Sequence, residues 1–284
     1  MRILVTVAHF YRPEEPPPRS SADATRRDLR AAAIRSLIGS YRGHYGPTQV
    51  ANVGERRYEP LRGAASVLDI VALVAGEDHL LSAEDSQRLG CLVVDAKPAD
   101  PLKLGFAAHR LMADHRHGYD LFVFTEDDLR IAEASFFDKI LSFQEAFGPS
   151  RVLFPNRYEW NPRANALKTF IDGDLRRDVV APYEAALPDA PFLCQPALGR
   201  SVTHRRAANP HAGFFAITAA QLAHWIRQPW FGDEDGSFVS PLESAATLGI
   251  LKTFPIYKPF GPDMGWLQIE HLDNQYSALN LPVG

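Results

Sequence analysis

The hydrophobic positions in the first half of the chain form short continuous runs separated by helical repeats. Ile3–Ala8 is a β-branched apolar run, a pattern typical of a strand that is covered on both faces in a parallel sheet. Similar runs at Val67–Val74, Cys91–Asp95 and Asp120–Thr125 predict three further strands. Because helical segments separate several of these runs, the pattern indicates a layered α/β domain with a mostly parallel central sheet flanked by helices.

The helical repeats are predicted at three places. One begins near residues 21–23 and continues through RRDLRAAAIRSLIGSY. A second runs from Leu102 to about His117, where Gly118 is a suitable stop. A third covers roughly Ala134–Phe147. The apolar run Arg151–Pro155 that follows is expected to return to the central sheet.

The second half of the chain has a different pattern. Residues Arg157–Pro210 are rich in Pro, Arg and Asn, which is typical of irregular or antiparallel structure and predicts a smaller, mixed region. Strands are predicted again at Gly213–Thr218 and Thr253–Tyr257, and helices at Ala219–Gln228 and Pro241–Leu251. No internal repeat or flexible linker separates the halves, so a single domain over residues 1–284 is predicted.

Composition excludes several classes of protein. The chain has 284 residues, 46% hydrophobic and 23% charged, which excludes a disordered or fibrous protein. Thirty Lys and Arg against 34 Asp and Glu give no cationic field for wrapping nucleic acid. The two cysteines, Cys91 and Cys194, lack the spacing of a disulfide scaffold or a zinc site.

The chain is also expected to be a cytoplasmic bacterial protein. It contains no secretion signal, and no apolar stretch approaches the ~20 residues of a spanning helix, so no transmembrane segment is predicted. A peripheral position at the inner membrane face stays open, as does the oligomeric state. The high content of Ala, Arg and Pro is typical of a GC-rich bacterial genome.

Three consecutive acids, Glu126, Asp127 and Asp128, follow the strand predicted at Asp120–Thr125. Neighbouring carboxylates repel one another, and a divalent cation is the simplest compensation. In open α/β sheets, ligands bind at the carboxyl ends of the strands. The residues alone leave two interpretations open: a cation site, or acids that cap the next segment or lie on a solvated turn.

The segment FVFTEDDLRIAEASFFDKIL resembles the acidic motif of GT-A-fold glycosyltransferases, most closely the EDDL-plus-FF arrangement of the N-acetylglucosaminyltransferase I type. The preceding PLKLGFAAHRLMADHRHGYD is similar too, since a helix studded with basic residues precedes that strand in such enzymes. The resemblance covers about Leu102–Leu141. It implies a GT-A-like, Rossmann-like fold in which residues 1–130 bind a nucleotide sugar and residues 131–284 bind the acceptor.

The resemblance implies roles for the acids and for a late histidine. Asp128 would ligate Mn²⁺ or Mg²⁺, Glu126 would be a further candidate ligand, and Asp127 would support the metal or contact the sugar or ribose. Many GT-A enzymes also use a late histidine as a metal ligand, and His271 is the candidate here. Such a cation would stabilise the charge that develops on the departing diphosphate.

The remaining candidate residues surround this predicted donor site. Besides Asp127, the predicted contacts of the nucleotide sugar are His9, Arg12, Asp95, Lys103, Arg110 and Gly213. Further candidates of the same kind are Arg19, Arg26 and His109. Each cation can equally be an ordinary surface charge, and Phe214 and Phe215 beside Gly213 are expected to pack in the core.

Glu243 is the predicted general base, because an inverting transfer needs a carboxylate near the acceptor hydroxyl. It follows Ser240 by three positions, so the alternative is a capping box at the start of a helix. Other candidates for the base are Asp233, Glu234 and Asp235. Trp266 is expected either to stack on a sugar ring or to pack in the protein.

These features predict a metal-dependent glycosyltransferase that moves a sugar from a nucleotide-sugar donor to a hydroxyl acceptor, a glycan or lipid-linked glycan, with inversion. One alternative is a sugar nucleotidyltransferase, but the loop HFYRPEEPPPRSS lacks the glycines of a phosphate loop. The other is a non-catalytic carbohydrate-binding protein, which the intact acids disfavour.

Overall fold

The computed structural model describes residues 1–14, 23–61, 66–160 and 168–276. The strands are β1 (Arg2–Ala8), β2 (Gln49–Asn52), β3 (Arg57–Pro60), β4 (Val67–Val74), β5 (Leu92–Asp95), β6 (Leu121–Glu126), β7 (Leu129–Arg130), β8 (Val152–Leu153), β9 (Asn156–Trp160), β10 (Lys168–Phe170), β11 (Phe192–Ala197), β12 (Arg200–Arg206), β13 (Phe214–Thr218), β14 (Ile256–Pro259) and β15 (Gln268–His271). The α-helices are α1 (Arg27–Tyr45), α2 (Ala83–Leu89), α3 (Leu104–Asp114), α4 (Phe136–Phe147), α5 (Arg177–Ala186), α6 (Ala219–Ile226) and α7 (Pro241–Leu251). Short 3₁₀ helices cover Ala24–Arg26, Pro101–Lys103 and Gly261–Trp266.

A five-stranded central sheet has the strand order β13-β6-β1-β4-β5. Strand β1 pairs in parallel with β4 and β6, and β4 pairs in parallel with β5. The edge strand β13 runs antiparallel to β6. The α/β class with a mostly parallel central sheet is therefore confirmed, and β1, β4, β5, β6 and β13 lie where the apolar runs predicted strands.

The strand order creates a switch point between β1 and β6. From β1 the sheet extends outward through β4 and β5, and the chain then returns to the opposite side of β1 as β6. The loops that leave the carboxyl ends of β1 and β6 therefore diverge and open a crevice, where ligands bind in open α/β sheets. His9 follows β1 and Asp127 follows β6, so both lie at this crevice.

Two smaller sheets, with the orders β10-β9-β15-β7 and β11-β12-β14-β8, contain much of the second half. Strand β15 pairs antiparallel with β7 and parallel with β9. Its register places His271 opposite Leu129, and the Leu272 N–H donates to the Asp128 carbonyl over 2.8 Å. The backbone of β15 is thereby fixed beside the acids that follow β6.

Helix α7 is held close to the crevice by its packing against α3. Gly105 permits the approach, because a β-carbon there would lie 2.7 Å from the Ala245 β-carbon. His109 on α3 donates from Nε2 to the Ala245 carbonyl over 2.8 Å. Across β6 and β13, the rings of Phe124 and Phe215 stack with their centroids 5.5 Å apart, so the expected Phe packing is observed.

Several elements differ from the sequence prediction. Val152–Leu153 does not belong to the central sheet as predicted, because it pairs with β14. An apolar run predicts a buried strand but does not specify the sheet to which the strand belongs. Helix α3 ends at Asp114, and Gly118 lies beyond its end. The polar stretch before β5 contains α2, which begins with a capping box at Ser82.

Two further strand regions were not predicted. Strands β2 and β3 form an antiparallel hairpin after α1. Strand β15 lies in a C-terminal stretch rich in Gly, Pro and polar residues, a composition typical of an exposed segment. Leu267, Ile269 and Trp266 are nevertheless buried. Trp266 packs beside Lys139, whose Nζ lies 4.7 Å from the ring centroid. Among the described helices, none is both long and apolar enough to cross a membrane.

Candidate active site

The acid triplet, Glu126, Asp127 and Asp128, lies at the carboxyl end of the central strand β6. The three residues are only 9%, 7% and 7% exposed, because β6 is covered on both sides by neighbouring strands and helices. Burying charged carboxylates costs several kcal/mol each unless they are paired or hydrogen-bonded. Each carboxylate of the acid triplet therefore needs an identifiable partner.

Asp127 is held by His9, which is fully buried. The Leu80 N–H donates to Nε2 of His9 over 3.0 Å, so this nitrogen is an acceptor and the ring proton lies on Nδ1. Nδ1 lies 2.6 Å from Oδ2 of Asp127 and donates to it. His9 thus orients Asp127 and has both ring nitrogens engaged inside the protein.

Arg30 on α1 bridges two members of the acid triplet. One terminal nitrogen donates to Oδ2 of Asp128 over 2.7 Å, and the other donates to Oδ1 of Asp127. Burial opposes the charge on Arg30, but the charges of Asp127 and Asp128 raise its pKa above the usual value. Arg30 is therefore a buried, permanently charged partner of both aspartates.

Two carboxylate oxygens of the acid triplet have no hydrogen-bond partner among the described residues. These buried atoms are Oδ1 of Asp128 and Oε1 of Glu126. The nearest ion-pair candidate for the Glu126 oxygen is Nε2 of His211, at 4.0 Å. Leaving a buried acceptor unsatisfied costs roughly 1–3 kcal/mol, and more for a charged group. The two oxygens point to a ligand that satisfies them.

His271 presents a ring nitrogen to the acid triplet. Its Nδ1 lies 2.8 Å from Oε1 of Glu159, and because a carboxylate accepts, Nδ1 is the donor in this bond. In the neutral ring, Nε2 then carries a lone pair, and it lies 3.7 Å from Oδ2 of Asp128. A histidine oriented by a carboxylate in this way is typical of metal sites.

The surroundings shift the pKa values of Asp128 and Glu126 in opposite directions. Burial alone would raise the pKa of Asp128, but the neighbouring His271 and Arg30 lower it to about 2. Burial and the neighbouring charge of Asp128 raise the pKa of Glu126 to about 8. Asp128 is therefore ionised at neutral pH, as a cation ligand has to be.

The arrangement fits a hard divalent cation that is shared with a phosphate ligand. Within the part of the chain that the structure describes, no three His, Cys, Asp or Glu side chains form a group that could hold a metal ion. Mg²⁺ at phosphate sites commonly takes only one or two carboxylates, with phosphate oxygens and water as the other ligands. Asp128 and His271 supply two donors, since ligands bound at ~2.1 Å lie about 3–4 Å apart.

A second network of buried charges consists of Arg157, Asp172 and Lys258 and acts on Glu126 through Arg157. Asp172 accepts from Nε of Arg157 and from Nζ of Lys258, each over 2.8 Å. Nζ of Lys258 also donates to the His211 carbonyl over 2.6 Å. The charge of Arg157 acts on Glu126 and Asp128, so the network adds positive potential to the acid triplet.

Glu243 lies in the first turn of α7 and is half-buried. Ser240 Oγ accepts from the Glu243 N–H over 3.3 Å, but the Ser240 N–H donates to the Phe238 carbonyl over 2.7 Å. The reciprocal half of a capping box is therefore absent, because the Ser240 N–H is already bonded to Phe238 and not to the Glu243 carboxylate. Its charge acts on Glu126, which places it within electrostatic range of the acid triplet.

A cavity of about 180 Å³ opens directly onto the acid triplet. Besides the three acids, its lining consists of Ala8, Phe10, Arg30, Pro101, Leu102, Leu104 and Leu242. It combines apolar walls with a cluster of charged groups on one side, which is typical of a small-molecule site. The cavity lies at the switch point of the sheet, beside the start of α7.

Several predicted donor contacts have partners of their own outside the acid triplet. Lys103 and Arg110 both face Glu234, at 3.8 Å and 2.5 Å. Arg12 donates from Nε to Asp78 over 2.9 Å. Oδ1 of Asp95 accepts from the backbone N–H of Gly76, which follows β4, and from that of Lys97, which follows β5.

Of four other predicted contacts, three are accounted for differently and one lies outside the described residues. Gly213 has a left-handed φ of +59°, and a β-carbon there would lie 2.5 Å from Oε2 of Glu126, so the close approach is to the acid triplet. Arg26 pairs with Asp273. His109 is buried in the core, and Arg19 lies outside the described residues.

Sequence reasoning missed Arg30, Arg157 and the residues around them. Arg30 had a detectable signal, because it occupies the apolar stripe of α1 with Ile34, Leu37 and Tyr41 at helical spacing. A charged residue at such a position needs a buried partner. The network of Arg157 with Asp172 and Lys258 joins three distant segments, and no local pattern reports that contact.

Comparison with known proteins gives distant structural matches. No protein-family model matches the chain, and no curated protein matches it. Glucosyl-3-phosphoglycerate synthase from Mycobacterium tuberculosis, in complex with phosphoglyceric acid, matches with 18% identity and a TM-score of 0.38 over 77% of this chain and 57% of that chain. The same enzyme with Mn²⁺ and uridine-diphosphate-glucose matches with 17% identity and a TM-score of 0.38, over 77% and 56% of the two chains.

A structure described only as a mycobacterial protein matches with 16% identity and a TM-score of 0.42, over 94% of this chain and 65% of that chain. The chain thus spans less than two thirds of the length of these matched structures. At such identities and TM-scores, the likeness assigns neither a family nor a substrate to this chain.

Proposed function

We propose that the protein is a metal-dependent glycosyltransferase of the GT-A type, which moves a sugar from a nucleotide-sugar donor to a hydroxyl acceptor. One observation carries the proposal: at the switch point of the sheet, the buried Oδ1 of Asp128 has no hydrogen-bond partner among the described residues, and Nε2 of His271 lies 3.7 Å from Oδ2 of the same carboxylate. A cation held by the Asp128 carboxylate and by Nε2 of His271 would use these two donors, and a diphosphate would complete its ligands.

Mn²⁺ or Mg²⁺ would be held by Asp128 and His271. Glu126, predicted as a further ligand, does not form a three-residue group with them among the described residues, so phosphate oxygens and water would supply the other ligands. When bound, the cation acts as a Lewis acid that stabilises negative charge on the leaving diphosphate. The chain prepares this site in advance, because His9 and Arg30 fix Asp127 and Arg30 also holds Asp128. Prearranged charges of this kind favour the transition state.

Glu243 is the proposed general base. The start of α7 contributes Leu242 to the cavity wall, and the charge of Glu243 acts on Glu126; both observations support a place for Glu243 beside the site. A carboxylate there can accept the proton of the acceptor hydroxyl as the hydroxyl attacks the sugar. Attack from the side opposite the diphosphate inverts the anomeric carbon, and an inverting transfer is therefore proposed.

The two halves of the chain have different proposed roles in binding the donor and the acceptor. Residues 1–130 supply the acid triplet and Arg30 for the donor, and residues 131–284 supply Glu243, His271 and the acceptor side. A bacterial glycan or lipid-linked glycan is the proposed acceptor class, and a cytoplasmic site of action goes with a nucleotide-sugar donor. Asp127 and His9 belong to the donor half as groups that shape the cation site.

The decisive experiment is a thermal-shift screen of UDP-, GDP-, CMP- and TDP-sugars with and without Mn²⁺, followed by assays for release of the nucleoside diphosphate, or of CMP from the CMP-sugar. A selective increase in Tm that needs both nucleotide and cation is expected. In a parallel assay supplied with a nucleoside triphosphate and a sugar 1-phosphate, release of pyrophosphate would identify a nucleotidyltransferase. No cation-dependent nucleotide binding would remove the proposal.

A further inference from the structure

The guanidinium of Arg30 occupies the centre of the acid triplet and is nearly fully buried. It uses one nitrogen for each aspartate, Oδ1 of Asp127 and Oδ2 of Asp128. Oδ1 of Asp128 has no hydrogen-bond partner within the described part of the chain. A cation bound there would share the same carboxylate with Arg30, on its other oxygen. Arg30 and a divalent cation therefore act on Asp128 together.

We infer that Arg30 is the resident counter-cation of the acid triplet: it keeps Asp127 and Asp128 in place without metal, and it limits how tightly a divalent cation binds without a nucleotide diphosphate. The claim that Arg30 limits the affinity for a divalent cation rests on the proposed function. The claim that Arg30 keeps the two aspartates in place without metal does not, because it concerns only how the folded chain stabilises its buried acids.

A count of the buried charges supports the inference. Asp127 and Asp128 carry two negative charges, and Arg30 donates to both. Arg157 adds a second positive charge that acts on Asp128, and Asp172 and Lys258 balance each other in a pair at 2.8 Å. The two aspartates are thus already balanced by two guanidiniums. A divalent cation alone would leave an excess of positive charge, whereas a cation together with a diphosphate would not.

The position of Arg30 on α1 provides a matched control. Arg26 lies one turn earlier on the same side and pairs with Asp273, whose Oδ2 is also 4.0 Å from a nitrogen of Arg30. Arg26 therefore secures the segment that follows His271 but does not touch the acid triplet. Loss of Arg26 tests the anchoring of that segment, while loss of Arg30 tests the charge balance as well.

The experiment compares wild type with Arg30→Met, Arg30→Lys and Arg26→Met, without nucleotide. Thermal unfolding is followed in EDTA and in rising Mn²⁺, and the Kd for Mn²⁺ is measured by electron paramagnetic resonance. In EDTA, Arg30→Met should unfold several degrees below wild type. Mn²⁺ should raise the Tm of Arg30→Met more than that of wild type, and should bind Arg30→Met about 10–100-fold more tightly.

The control variants separate charge from structure. Arg30→Lys keeps the positive charge and should bind Mn²⁺ within about threefold of wild type, as should Arg26→Met. An equal Mn²⁺ response in wild type and Arg30→Met would overturn the inference, and so would an Arg30→Lys variant that binds Mn²⁺ as tightly as Arg30→Met.

Two safeguards keep the result interpretable. If Arg30→Met does not fold in EDTA, the double variant Arg30→Met/Asp127→Asn removes one charge of each sign and should recover a folded Tm; failure to recover contradicts the counter-cation role. If wild type shows no cation-dependent nucleotide binding, the proposed function fails. Rescue of Arg30→Met by Mn²⁺ would still establish what Arg30 does for the acid triplet.

Discussion

The carboxylate of Asp128 and the imidazole of His271 approach to 3.7 Å, between Oδ2 and Nε2. The pairing of β7 with β15 sets this distance, because His271 lies opposite Leu129 and the backbone N–H of Leu272 bonds to the Asp128 carbonyl. The two side chains are therefore brought together by main-chain register before any ligand arrives. Such preorganisation is what a cation site requires.

Replacing Asp128 tests the cation site directly. Asp128→Ala should abolish transfer and metal-dependent nucleotide binding, because it removes the ionised ligand that faces His271. Calorimetric titration of Mn²⁺ with each nucleotide measures the loss. Asp28→Ala, at a side chain that is 98% exposed, serves as the control and should match wild type. Retained turnover in Asp128→Ala would remove this residue from the mechanism.

Glu159 should act through His271 and not through contact with the ligand. Glu159→Gln weakens the acceptor of the 2.8 Å bond from Nδ1, so the ring loses its fixed tautomer and orientation. We expect the Kd for Mn²⁺ in the presence of nucleotide to rise by about 10–100-fold. Glu145→Gln, on the exposed side of α4, provides the comparison, and equal Kd values for both variants would disprove the role.

Glu243→Gln should separate chemistry from binding. The amide keeps the size of the side chain but cannot accept a proton, so transfer is expected to slow by about two to four orders of magnitude. Donor affinity should stay near that of wild type. Steady-state kcat and the Kd for the donor, measured on the same preparation, decide the point. A loss below tenfold would return Glu243 to a structural role at the start of α7.

Gly213→Ala should damage the acid triplet through sterics. The new β-carbon would lie 2.5 Å from Oε2 of Glu126 and 3.1 Å from Cδ1 of Leu129. The matched control is Gly76→Ala, which has nearly the same φ of +58° and nothing within 4 Å. Both variants should lose about 1–2 kcal/mol of unfolding free energy to backbone strain.

Overpacking should cost Gly213→Ala about 1–3 kcal/mol more, and only this variant should bind Mn²⁺ more weakly. Urea unfolding and Mn²⁺ titration of the two variants make the measurement. Equal losses of stability and unchanged Mn²⁺ binding in both would show that the acid triplet does not depend on the missing side chain at position 213.

The core histidine His109 should make stability depend on pH. Burial lowers its pKa to about 4, against about 6.5 in the unfolded chain. As the pH falls below about 6.5, the unfolded state takes up the proton first, so stability is lost between about pH 6.5 and 4. For this one group the loss is on the order of 3 kcal/mol.

The comparison of wild type with His109→Gln isolates this contribution, because the other titrating groups are common to both. Glutamine keeps an N–H that can donate to the Ala245 carbonyl. The difference in unfolding free energy between the two proteins, from urea titrations at pH 7 and pH 4, should shrink on acidification. A constant difference across this range would contradict the assignment.

Most of the central sheet could be predicted because its strands are short, continuous apolar runs. Val67–Val74 was predicted with the bounds that β4 has, and Pro241–Leu251 with those of α7. The acid triplet was located because charge directly after a buried strand is unusual. These features are local in sequence, and the physics that selects them acts over a few residues.

His9 and His271 were predicted site residues, but the way they and Arg30 pair with the acid triplet could not be predicted because all three are distant from it in sequence. His9, Arg30 and His271 meet Asp127 or Asp128 only after three separate segments have docked. Lys103 and Arg110 looked suitable because they precede the acid triplet in sequence, yet both face Glu234. Their shared partner lies in the loop before α7, and no local pattern reveals that contact.

The acid triplet and its partners draw on residues from 9 to 273, joined by contacts of very high sequence separation. Such contacts form late in folding, because the entropy of closing long loops opposes them until neighbouring parts have docked. A partly folded chain can contain a complete parallel sheet and still have its acids exposed and uncompensated. Regain of cation binding during refolding should therefore lag behind regain of secondary structure, and it would report the arrival of β15 beside β7.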